Sequence, residues 1–129
     1  MRELVFTSEC RGKAAPVEGK PNTLHARTTG KGPQNETVTF ESEVVLDGET
    51  FKESGSITYA GRGTVRFETV GVGYLGPSPL PNLQRGAVIW TVTSGDGEFA
   101  GATGLITSNF TASADGDVVD NHYVRLFLP

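Results

Sequence analysis

Apolar and polar residues alternate with period two along most of the chain, and turn-forming residues break the alternation at short intervals. This pattern marks half-buried antiparallel strands. It predicts eight strands, at 3–11, 24–29, 36–46, 49–59, 64–75, 87–93, 105–112 and 118–128. The clearest alternation lies in 36–46, where Val38, Phe40, Val44 and Leu46 share one face while Thr37, Thr39, Glu41 and Glu43 share the other. Asp47-Gly48 follows as a hairpin signal of type I′, whose two central residues need positive φ. Leu4, Phe6, Ser8 and Cys10 share a parity in the first strand, as do Phe51, Ile57 and Tyr59 in the fourth and Val88, Trp90 and Val92 in the sixth.

The fifth strand changes parity midway. Val65 and Phe67 are odd, whereas Val70, Val72 and Tyr74 are even, so a bulge near Gly71 or Gly73 is expected. Residues 12–22 read as a loop containing Pro16 and Pro21. Residues 76–86 read as the longest loop, stiffened by three prolines and placed to form a lid over one barrel end.

Eight strands joined mainly by short connections suggest an all-β fold, a closed eight-stranded antiparallel barrel in up-and-down meander order. Closure removes exposed edges. A sandwich is the alternative. With 129 residues the chain makes one domain, 1–129, large enough for a real core. Apolar residues make up 36%, which implies a modest core and many polar strand positions; 17 glycines and 7 prolines favour strands and turns over helices.

Charge narrows the partners. Eleven Lys and Arg against fifteen Asp and Glu give a net charge of −4 with no basic run, so no nucleic-acid partner is expected. No apolar stretch approaches the ~20 residues of a membrane span, and the first residues carry Glu3 and Glu9 rather than a signal sequence. The expected setting is cytoplasmic. The two glycosylation sequons, at Asn35 and Asn109, are then chance matches. A single cysteine, Cys10, excludes an intrachain disulfide.

The segment from Thr93 to Gly104 contains Gly95-Asp96-Gly97-Glu98-Phe99-Ala100-Gly101-Ala102-Thr103-Gly104. It resembles the Gly-x-Gly-x-Phe-x-Gly-x-x-Gly connector of the allene oxide cyclase-like barrel superfamily, which includes plant dirigent proteins and uncharacterised bacterial families. The closing Tyr123-Val124-Arg125-Leu126-Phe127-Leu128 is similar to that group's aromatic last strand. The resemblance covers roughly the last forty residues and implies a calycin-like barrel with cofactor-free isomerase or cyclase chemistry. The acidic and asparagine-containing early pattern of the plant cyclases is missing, so no catalytic residues carry over. On physical grounds Phe99 is expected to plug one barrel end.

Other chemistry finds little support. His25 and His122 are far apart and Cys10 stands alone, so no metal and no cofactor are expected. Ser94 lies in no Gly-x-Ser-x-Gly elbow, and the glycine-rich segment leads into no phosphate-cradling helix. Cys10 reads as a buried, inert thiol.

The aromatic residues Phe40, Tyr59, Tyr74 and Trp90 are the candidate ligand-binding walls; the alternative is that they simply fill the barrel. Glu68 and Asn109 are the candidate catalytic polar groups. A desolvated Glu68 would be a proton shuttle, and Asn109 would orient a polar ligand atom. The alternative for Glu68 is an exposed polar pair with Arg66. The implied partner is a small apolar or amphipathic molecule. Apolar residues on both faces of the last strand mildly favour a homo-oligomer. A carrier or a filled assembly module stands beside the enzyme reading.

Overall fold

The computed structural model describes all 129 residues. They form nine strands: β1 Arg2–Pro16, β2 Thr23–Lys31, β3 Thr37–Asp47, β4 Thr50–Tyr59, β5 Gly63–Thr69, β6 Gly73–Pro77, β7 Leu83–Gly95, β8 Thr103–Ser113 and β9 Asp117–Leu128. The only helix is a single 3-10 turn, Gly97–Phe99. Every pairing is antiparallel.

Neighbours in sequence pair in turn except that β5 pairs with β7 rather than β6, and β1 pairs with β9, so the sheet closes on itself as an eight-stranded up-and-down barrel. The extra strand is the short β6. It pairs with β4 at Thr50 and Phe51 and with β7 at residues 84–87, beyond the end of β5. The expected fifth strand is therefore split. Residues 70–72 bulge outward between its halves, with Val70 and Val72 about half exposed and Gly71 at φ 68°. The change of parity seen in the sequence is this bulge.

Two turns differ from expectation. Asp47 and Thr50 are paired, so the hairpin centre is Gly48-Glu49, one residue later than Asp47-Gly48. Gly48 has φ 62° while Glu49 is not in the positive region, a pattern that fits type II′ rather than I′. Gly48→Ala is expected to cost about 1 kcal/mol, read from urea unfolding, because alanine resists positive φ. An unchanged midpoint would count against this turn geometry.

The other difference is the proline-rich segment 76–86. Much of it is strand: β6 runs to Pro77 and β7 starts at Leu83, joined by residues 78–82 with the Ser78 N–H donating to the Leu83 carbonyl. The expected long lid is a tight hairpin at the barrel rim. Likewise β1 runs on to Pro16, which pairs with Leu24.

The barrel's two ends differ. At one end Phe99 is fully buried, its ring 5.3 Å from Tyr59, as the plug that was expected. Gly63 and Gly95 seat it, since a Cβ on either would press to about 3.2 Å from the Phe99 side chain. Over the plug lies Arg62, nearly buried, bonded twice to Glu98 (2.9 and 3.0 Å) and once to Glu36 (2.9 Å). These bonds hold the Glu98 carboxyl low; at Glu36 burial pushes up, but Arg62 and backbone donors outweigh it.

The other end is open. Several of its lining residues are small, Ala14, Ala26, Ala112 and Ala114 with Gly116 at the β8–β9 turn, and they alternate with larger apolar ones. The small side chains leave part of the eight-stranded lumen unfilled. The volume left over is the candidate site.

Candidate functional site

Inside the closed half, Phe40 stacks on both Phe67 and Trp90, which meet each other at a tilt, with ring centroids 4.4–5.5 Å apart. Val38, Ile57, Val65, Ile106, Val124 and Leu126 complete a dry core. Above it runs a belt of buried polar residues supplied by six strands: Ser8 and Cys10 on β1, Thr28 on β2, Ser42 on β3, Glu53 on β4, Ser108 on β8, and Asp120 and His122 on β9. Above the belt, a cavity of about 260 Å³ opens toward the rim.

Two carboxyls of the belt border this cavity, Glu53 and Asp120. Glu53 accepts from the Ser42 hydroxyl at 2.5 Å and from the Trp90 indole N–H at 3.2 Å. Burial pushes its pKa up to about 7, and the nearby Asp120 charge adds to the rise against the two donors. Asp120 accepts from Ser108 at 2.5 Å and from His122 Nε2 at 2.9 Å.

The serine, aspartate and histidine do not make a nucleophilic triad, because the carboxyl sits between the other two rather than behind the imidazole. His122 is packed against Phe40 and Trp90, and its Nδ1 has no hydrogen-bond partner. The cavity walls are apolar, chiefly Leu24, Val44, Leu46, Phe51, Leu75 and Phe110. No lysine or arginine borders the cavity.

Within the belt, Cys10 is the buried, unreactive thiol that was expected. Burial first, and then the Asp120 charge, raise its pKa to about 11, so it is protonated at neutral pH. The Ser8 and Thr28 hydroxyls approach its sulfur, yet neither makes a hydrogen bond of good geometry.

Of the residues singled out from sequence, Phe40, Tyr59 and Trp90 lie inside the barrel, where they fill its closed half. None of the three borders the cavity. Tyr74 lies outside and is 59% exposed. Glu68 is exposed on the outer face of β5, because Val65 and Phe67 take the inward parity and the bulge separates them from Tyr74. Asn109 is also exposed, since Ile106, Ser108 and Phe110 are the inward positions of β8. The lumen orientation expected for Glu68, Asn109 and Tyr74 is thus corrected.

Tyr74 and Asn109 do meet in an outer depression of about 540 Å³ that also touches Glu49, Arg85 and Asn121. It is larger than the lumen cavity but open and polar, and it holds no buried titratable group.

Sequence reasoning missed Glu53, Asp120, Ser42 and Ser108. The signal was present: Glu53 shares the parity of Phe51, Ile57 and Tyr59, and Asp120 that of His122, Val124 and Leu126. A carboxylate at an apolar parity is the feature to look for, since buried charge is rare without purpose or partner.

No three His, Cys, Asp or Glu side chains converge as a metal site would. No helix is long and apolar enough to cross a membrane. Together, fold and site define a class: a closed antiparallel barrel, plugged at one end, with an apolar pocket floored by two buried carboxyls. Among known proteins, no family model matches the chain and no curated relative does.

Proposed function

We propose that the barrel binds a small, largely apolar molecule in its open half and moves a proton on it, a cofactor-free isomerisation or cyclisation. The observation that carries this reading is the placement of Glu53 on the floor of an apolar cavity with its pKa near 7. Such a carboxyl is populated in both protonation states at neutral pH and serves equally as acid or base.

Asp120, fixed by Ser108 and His122, supplies a second carboxyl on the same floor. Taking a proton from one carbon and returning it to another changes no oxidation state and needs no co-reactant. Confinement by the walls would select the reacting conformer. The connector at 93–104 supports placing the chain among allene oxide cyclase-like barrels, where chemistry of this kind is expected.

One observation favours a second reading, a non-catalytic carrier. All four oxygens of Glu53 and Asp120 already accept a hydrogen bond, as a purely structural belt would require.

Native mass spectrometry of freshly purified protein tests the pocket. A small-molecule adduct is expected, and Ala26→Trp, which fills the lumen, should abolish it while the far-ultraviolet spectrum is retained. An adduct that survives in a folded Ala26→Trp protein would place the ligand elsewhere. In deuterated solvent, label entering the released ligand, and lost in Glu53→Gln, distinguishes the enzyme from the carrier.

A further inference from the structure

The electrostatics of the open end point to the class of occupant. This inference rests on the lumen being the binding site. The floor carries two carboxyls and no lysine or arginine. The turns and strand ends around the mouth carry Glu18, Asp47, Glu49 and Asp115, none of which is in an ion pair.

The cations at this end are engaged or turned away. Lys13 pairs with Asp117 and Lys20 with Glu43, while Lys52 and Arg85 lie exposed on the outer faces of β4 and β7. Floor and rim therefore carry the same sign, separated by apolar wall. An acidic mouth above a low-dielectric shaft concentrates positive ligands and repels negative ones. At the floor, a carboxyl oxygen holding one hydrogen bond still has a lone pair for another donor.

We propose that the lumen takes an amphipathic amine, its hydrocarbon body along Leu24, Val44, Leu46, Phe51 and Phe110 and its ammonium donating to Glu53 and Asp120. A fatty acid or a phosphate ester entering head first would bring an anion to two carboxyls with no cation to meet it. A neutral alcohol would bury the same chain and could donate one hydrogen bond, but it brings no positive charge to pair with the carboxyls.

The test uses three probes with one tail and different heads: octylamine, 1-octanol and octanoate. Trp90 is the only tryptophan, and its indole donates to Glu53, so its emission reports occupancy of the floor. Titration of the intact protein at pH 7 is expected to give octylamine at least tenfold tighter than 1-octanol, with octanoate weakest. Glu53→Gln should bring octylamine to within about threefold of 1-octanol by weakening the amine far more than the alcohol; Asp120→Asn serves as a second variant if the first is unstable.

Equal affinities for amine and alcohol, or octanoate binding best, would overturn the amine while leaving the pocket standing. If none of the three moves Trp90 emission or shows binding heat, both the amine and the lumen site fail. If octylamine keeps its preference in both variants, the amine's contact with the floor is refuted.

Discussion

Replacing Trp90 with alanine is expected to destabilise the protein by roughly 3–5 kcal/mol, the usual range for deleting a large buried aromatic. Trp90 is 1% exposed and joins the stack of Phe40 and Phe67 to the ring of His122. Two losses combine. The core gains a void bounded by rigid strands, which relax poorly around it, and Glu53 loses its indole donor.

Urea unfolding followed by far-ultraviolet circular dichroism measures the loss, since the variant has no tryptophan to report. Trp90→Phe separates the two effects. It keeps most of the packing and is expected to cost about 1–2 kcal/mol, with the Glu53 pKa moving further up because one group stabilising its charged form is gone. A loss below about 1 kcal/mol for Trp90→Ala would mean that the aromatic stack is not what holds the closed half together.

The second large effect is the dependence of stability on pH. At pH 4 Glu53 is protonated both in the folded protein and in the unfolded chain, so it imposes no ionisation penalty. Above its ordinary value of 4.5 the unfolded chain releases the proton, while the folded protein retains it until about pH 7. The folded state binds more protons across that window, so stability falls as pH rises.

A displacement of this size corresponds to about 3 kcal/mol, lost between pH 4.5 and 7 and level above. At the plugged end, Glu36 and Glu98 act in the opposite sense. Both are held below the ordinary carboxylate range, so their contribution fades as pH drops below 4.5. The two slopes meet in a stability maximum near pH 4.5–5. Urea midpoints measured from pH 3 to 8 test this, and Glu53→Gln should flatten the limb above pH 4.5 alone. Parallel curves for variant and wild type would mean that Glu53 is not desolvated.

How much of the site was legible depends on which residues are considered. Alternation placed Phe40, Tyr59 and Trp90 inside, because an inward face must be apolar and these residues recur on it with period two. It did not tell whether they line a space or fill it. That depends on the summed volume of side chains from strands distant in sequence. Ala14 and Ala26, opposite each other on β1 and β2, leave the gap, while Phe40, Phe67 and Trp90 on β3, β5 and β7 fill theirs.

Glu68 and Asn109 were plausible only while the inward parity of their strands was open. The half-strand β5 and the register of β8 settle it by turning both side chains outward. Glu53 was readable as a carboxylate at an inward parity. The property on which the proposed chemistry rests, a pKa near 7, arises from burial and from Asp120, a residue 67 positions away that only barrel closure brings near.

The sequence by itself determined the local geometry: strand alternation, turns at glycine, the bulge between Phe67 and Tyr74, and a plug at Phe99. Each of these is set by steric preferences and hydrophobic periodicity acting over a few residues. Only the tertiary structure decided that the cylinder is full at one end and hollow at the other, and that Glu53 and Asp120 share the floor of the hollow. Residual volume and the energy of a buried charge both depend on what every strand contributes at one level of the barrel, and no short stretch of chain encodes that sum.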